Sequence, residues 1–158
     1  MTIALAACVD EPELATLAHR LARSLEEGGV IYLSGDLGAG KTTFARALLS
    51  TLGIGVRIKS PTYSLIESYT VDELAIHHLD LYRIADASEL EWLGLADLAV
   101  GRFLILIEWP ERAGAALPPA DLIVHLAHAG ARRDLRMEPK SPRGERWVAA
   151  LNAQTKPR

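Results

Sequence analysis

The stretch "VIYLSGDLGAGKTTFARALLSTLG", residues 30–53, decides the fold. It reads as a short apolar strand over 30–34, a glycine-rich loop, and a helix that Gly53 stops. Its centre, "GDLGAGKT" over 35–42, fits G-x-x-x-x-G-K-S/T without a mismatch. Gly35, Gly38 and Gly40 let the chain bend and keep side chains away from a bound phosphate. The start of the following helix adds positive dipole at the same point. Lys41 brings a flexible cation for the β- and γ-phosphates, and Thr42 a hydroxyl for Mg2+. The backbone of Asp36, Leu37, Gly38, Ala39, Gly40, Lys41, Thr42 and Thr43 is therefore expected to cradle a nucleoside triphosphate. The alternative is a chance glycine-rich turn; the strand before and the helix after argue against it.

Before this unit, "DEPELATLAHRLARSLEEGG" predicts an amphipathic helix with Leu14, Leu17, Ala18, Leu21 and Leu25 on one face. Asp10 or Glu11 starts it and Gly28-Gly29 stops it. After the unit, "TYSLIESY" and "LAIHHLDLY" predict two strands joined by a polar turn at Asp72-Glu73. "ASELEWLGLADLA" predicts helix in short pieces, and "FLILIE" the most apolar strand. "ADLIVHLAHA" and "RDLRMEP" predict two later strands, and "RGERWVAALNA" a final helix burying Trp147, Val148 and Leu151. Alternating elements followed by clustered strands predict an α/β fold. We expect a P-loop NTPase-like three-layer sandwich with a mixed parallel and antiparallel central sheet. One domain over 1–158 suits the length.

Composition narrows the function. Hydrophobic residues make up 49% and charged residues 23%, the balance of a globular protein. The single cysteine, Cys8, allows no internal disulfide and favours a reducing compartment. "LAAC" over 5–8 resembles a lipoprotein box, but no basic residue precedes Cys8 and the apolar run is short. Neither lipidation nor a membrane span is expected, and the predicted location is cytoplasmic. The net charge of −3 argues against a dedicated nucleic-acid binder. Residues 129–158 nevertheless carry eight Lys or Arg and three Asp or Glu, against nine and seventeen over 1–128. That basic segment is read as a surface for RNA or an acidic protein, or simply as a solvated face.

A phosphate loop needs a carboxylate nearby, and two acids end apolar runs: Asp80 in "AIHHLD" and Glu108 in "LILIE". Either is a candidate for the metal, and either alone is also an ordinary strand end. The only Asn is Asn152 and the only Gln is Gln154, so a guanine-reading N-K-x-D motif is excluded and a water-positioning glutamine disfavoured. That role falls to an acid, a hydroxyl or a partner protein. Arg83 and Arg133 are candidate phosphate-facing arginines, or plain surface residues. Thr62 in "SPTYS" reads equally as a γ-phosphate sensor or as a turn before a strand. His77 and His78 are adjacent in a strand, so they face opposite sides and make a two-histidine metal site improbable. A small-molecule or nucleotide kinase would use the same loop and is the main alternative to an ATPase.

"GDLGAGKTTFARALL", "KSPTYSLIESY", "HHLDLYRI", "ELEWLG" and "LIEWPER" follow one another in that order. Together they resemble the bacterial TsaE family, also called YjeE, over roughly residues 10–136. The resemblance implies a Mg2+-dependent ATPase that acts with TsaB and TsaD in making N6-threonylcarbamoyladenosine in tRNA. TsaD performs the transfer, and ATP hydrolysis supports repeated turnover. It implies that Thr42 and Glu108 coordinate Mg2+, that Asp80 is needed for hydrolysis, and that Trp109 matters as well. It places Glu11 and Arg133 at the nucleoside end. One departure lies in the first helix: Leu14 stands where many relatives carry Ser or Thr, and the nearest hydroxyl is Thr16.

Overall fold

In the computed structural model, which describes residues 3–55, 58 and 65–155, the chain alternates early and then turns to strands. It runs β1 (Leu5–Val9), α1 (Glu11–Ala22), β2 (Gly29–Ser34), α2 (Lys41–Thr51), β3 (Ile66–Val71) and β4 (Leu74–Asp80). It continues through α3 (Leu95–Leu98), β5 (Phe103–Glu108), β6 (Leu122–Ala129), β7 (Arg132–Pro139) and α4 (Pro142–Thr155). Short 3-10 helices lie at Ala87–Leu93, Pro110–Arg112 and Gly114–Ala116.

The seven strands form one sheet in the order β1-β7-β6-β2-β5-β4-β3. The four central strands, β6, β2, β5 and β4, are parallel to their neighbours in that group. β3 joins β4 antiparallel, and β7 joins both β6 and β1 antiparallel. This is the expected mixed α/β sheet. The side-chain alternation of strands sorts its apolar residues into two cores. Ile31, Leu33, Ile76, Leu104 and Leu106 pack on one face with α1, α2 and α4. Val30, Leu79, Ile105 and Ile107 pack on the other with Leu90, Leu95 and Leu117 from the short helices and loops.

The predicted apolar faces are buried: Leu14, Leu17, Ala18, Leu21 and Leu25 on one side, Trp147, Val148 and Leu151 on the other. α1 opens with a capping box. Asp10 accepts from the Glu13 N–H at 2.8 Å, and the Glu13 carboxylate accepts from the Asp10 N–H at 3.1 Å. Such a cap stabilises a helix by about 1 kcal/mol. α1 stops at Ala22, earlier than expected. Successive i→i−3 bonds, from Ser24 to Leu21 and from Leu25 to Ala22, tighten the chain before Gly28 turns it. The predicted turn at Asp72-Glu73 is present, with both residues in the left-handed region (φ 47° and 68°), as a two-residue hairpin requires.

One strand was not expected. "LAACV" is β1, paired with β7 in the register Ala7↔Leu135. The segment is short and shows no helical or alternating signal, so only its distant partner makes it a strand.

Candidate functional site

The site grows from the alternation of β4 and β5. On the helix-packed face, β4 reads Leu74, Ile76, His78, Asp80, and β5 reads Leu104, Leu106, Glu108. Apolar residues thus give way to ionisable ones at the carboxyl ends, where open parallel sheets place their ligands. The register sets Asp80 opposite Glu108, and Glu108 opposite Leu33 of β2, just before the glycine-rich loop. The loop is shaped by close approach. A Cβ at Gly35 (φ 155°) would lie 2.2 Å from the Leu126 carbonyl oxygen, and one at Gly40 (φ 109°) would lie 3.0 Å from Leu14. Gly40 caps α2, so the first turn of that helix points into the loop.

Side chains from the loop and from both strand ends meet there. The Thr42 hydroxyl donates to Glu108 Oε1 at 3.0 Å. Glu108 Oε2 lies 2.6 Å from Nε2 of His78, which is fully buried. Lys41 is 4% exposed; its ammonium donates to the carbonyls of Gly35 (2.6 Å) and Asp36 (2.9 Å) and sits 4.1 Å from the Trp109 ring centroid. Burial pulls the Lys41 ammonium below its usual value, against Glu108, Glu111, Asp80 and Asp36, which pull it back up. Asp80 accepts from the Tyr82 N–H at 3.0 Å. Burial pushes its carboxyl above the usual range; Glu108 adds to this, while the Tyr82 N–H, His78 and Lys41 oppose it.

Trp109 follows Glu108 in the left-handed conformation (φ 59°, ψ 49°), ahead of Pro110. For a bulky residue this costs roughly 1–2 kcal/mol. It carries the indole off the strand and over Lys41, with the Tyr82 ring 4.9 Å away and the Arg112 guanidinium 5.9 Å from the indole.

These groups open on a cavity of about 380 Å3. Of the residues singled out in the sequence, Leu37, Gly38, Gly40, Lys41, Thr42 and Thr43 line it from the loop. Asp80, Glu108 and Trp109 line it from the strand ends, and Glu11, Arg83 and Arg133 from the periphery. Asp36 and Ala39 belong to the loop but do not line the cavity; the Ala39 N–H closes a turn onto the Asp36 carbonyl at 3.0 Å. Thr62 lies outside the described residues, as does the rest of "SPTYS". Leu14 is a buried wall of the cavity, whereas Thr16 is exposed and bonded back to the Pro12 carbonyl. Tyr82 and the His78–Glu108 pair escaped the sequence reading. The only signal for His78 was its place two residues before Asp80, on the same face. Its neighbour His77 points the other way, to Ser68 at 2.8 Å.

The family model described as "Threonylcarbamoyl adenosine biosynthesis protein TsaE" matches residues 8–135. The chain belongs to the TsaE family. The Haemophilus influenzae protein named "tRNA threonylcarbamoyladenosine biosynthesis protein TsaE" is 39% identical over 127 residues, 80% of each chain. The Bacillus subtilis protein of the same name is 37% identical over 122 residues, 77% of this chain and 76% of its own. The crystal structure of Bacillus subtilis YdiB superposes with a TM-score of 0.78 at 27% identity and covers 99% of both chains. The TsaE match spans every segment that lines the cavity, from Glu11 and the glycine-rich loop through "HHLDLYR" and "LIEWPER" to Arg133.

Proposed function

We propose that this TsaE-family protein is a Mg2+-dependent ATPase that serves N6-threonylcarbamoyladenosine formation in tRNA through TsaB and TsaD. One observation carries the reading: a P-loop lysine and threonine share a cavity with two strand-end carboxylates, Asp80 and Glu108. Among the described residues no group of three or more His, Cys, Asp or Glu side chains is placed to hold a metal ion. Mg2+ bound with a nucleotide needs no such cage, since phosphates and waters fill most of its shell. The Thr42 hydroxyl and the Glu108 carboxylate fit it as oxygen donors. When bound, Mg2+ supplies positive charge beside the phosphate oxygens.

The protein's own groups do the rest. The N–H groups from Asp36 to Thr43 and the start of α2 cradle the phosphates. Lys41 exchanges its two carbonyl partners for phosphate oxygens and stabilises charge at the γ-phosphate. A water oxygen bonds to the γ-phosphorus, the bond to the β–γ bridging oxygen breaks, and ADP leaves with the electron pair. Asp80 orients that water and takes its proton, a task that its raised affinity for protons favours. Glu11 and Arg133, which also line the cavity, take the nucleoside end in this reading. Trp109 and Thr62 connect nucleotide state to the partner surface. tRNA enters indirectly, through TsaD, and the setting is cytoplasmic.

Two measurements test this. Free phosphate should appear from ATP only with Mg2+, and faster with TsaB and TsaD present. TsaD and TsaB should be retained by the immobilised protein when ATP or an analogue is added. Retention of neither, under any nucleotide, overturns the partner assignment.

A further inference from the structure

The His78 side chain has no stated task in this mechanism, yet it is fully buried and holds half of the Glu108 carboxylate. Its Nδ1 is buried and has no hydrogen-bond partner among the described residues. Leaving a buried N–H without an acceptor costs about 1–3 kcal/mol. Nε2 therefore carries a proton and donates it to Glu108 Oε2 at 2.6 Å.

We propose that His78 is a positioning residue. By occupying Oε2, it turns Oε1 of Glu108 toward Thr42 and fixes the pair as one oxygen face. This rests on the reading of Thr42 and Glu108 as the Mg2+ side of a nucleotide site. The geometry supports a one-sided hold. Oε1 meets the Thr42 hydroxyl at 3.0 Å, on the cavity wall, while Oε2 meets the buried His78 ring. His78 and Asp80 are two residues apart on β4, and Asp80 is the register partner of Glu108, so the imidazole reaches the carboxylate diagonally from behind. Without that donor, the carboxylate is free to rotate about its last bond and swing both oxygens away from Thr42. Outer partners of this kind commonly change metal affinity by about 10- to 100-fold.

The test uses the full chain and isothermal calorimetry with ADP, with Mg2+ and with EDTA. His78→Phe keeps an aromatic ring and removes the donor. His78→Gln offers an amide N–H near the position of Nε2. The expected result is a Mg2+-dependent gain in ADP affinity that falls about tenfold or more in His78→Phe and recovers in His78→Gln. ADP affinity in EDTA should stay within about twofold of wild type, on the same ground. An unchanged Mg2+ gain in His78→Phe overturns the proposal, as does loss in both variants, which marks a packing role. If wild type itself shows no Mg2+ gain, the nucleotide-site reading fails instead. Should His78→Phe not fold, nitrogen NMR of the wild-type ring decides: a protonated Nε2 with a bare Nδ1 supports the proposal, and the opposite tautomer overturns it.

Discussion

Two glutamates in this sheet are each held by a histidine, and they do different things. His78 and Glu108 are 2.6 Å apart with side chains 1% and 2% exposed; His125 and Glu138 are 3.0 Å apart at 22% and 6%. Glu138 has a second charge to answer to, Lys140 at 3.6 Å. Its carboxylate is thus satisfied from both sides and closes the β6–β7 hairpin. Burial alone would raise its affinity for protons, but His125 and Lys140 together hold the carboxyl below its usual value. Glu108 ends a central parallel strand, and its second oxygen meets a hydroxyl at the wall of a cavity. The same residue pair is a structural clasp at one place and part of a cavity wall at another. Position at the carboxyl end of a parallel strand makes the difference.

Substitutions can break that contrast. The largest effect is expected from Glu108→Gln, which should lower ATP hydrolysis by about 100-fold or more, while Glu138→Gln changes it less than about twofold. Equal losses in a phosphate-release assay would erase the distinction. Asp80→Asn should cost about 100-fold in hydrolysis while nucleotide affinity, read by calorimetry, stays within a few-fold. An unmutated rate would remove Asp80 from the mechanism. His125→Ala should leave hydrolysis intact and destabilise the fold by about 1 kcal/mol in urea unfolding at neutral pH. The sign with pH follows from the lowered Glu138 carboxyl. Its stabilisation is complete above the unfolded-state value and is lost as pH falls through the folded-state value. The gap between wild type and His125→Ala should therefore narrow in acid, and a constant gap would mean that His125 acts only by packing. The smallest effect is expected for Trp109→Gly. Relief of left-handed strain, roughly 1–2 kcal/mol, offsets the lost ring and cation contacts of similar size. Unfolding free energy should barely move, while ATP hydrolysis falls. A large stability loss would make the indole a packing residue first.

Much of this was legible in the residues. The loop from Gly35 to Thr42 carries its chemistry in consecutive letters, and the strand ends at Asp80 and Glu108 announce themselves by apolar lead-ins. Apolar faces found α1 and α4, the motif and Gly53 bounded α2, and the polar Asp72-Glu73 pair marked the β3–β4 turn. What escaped depends on contacts between distant segments. β1 exists because β7 lies beside it, and nothing within "LAACV" says so. His78 could be read as packed, but not as packed against Glu108, because a separation of 30 residues hides the pairing. The left-handed Trp109 is likewise invisible in a sequence, since only the surrounding fold compels it.

β1 has one further consequence. The loop and α2 adjoin each other in the chain, and the hydrogen bonds of α2 are local. The opposite wall, with Glu11 and Arg133, rests on β1 and α1 meeting β7; the bond from Arg132 to the Cys8 carbonyl spans 124 residues. Long closures of this kind come at an entropic cost before any contact rewards them, and they slow folding. During refolding, α2 should gain amide protection ahead of β1. A pulse-labelling experiment in which β1 is protected first would show the reverse order. The cavity is then a late product of folding: α2 is ready early, and the opposite wall arrives only when two remote stretches of chain find each other.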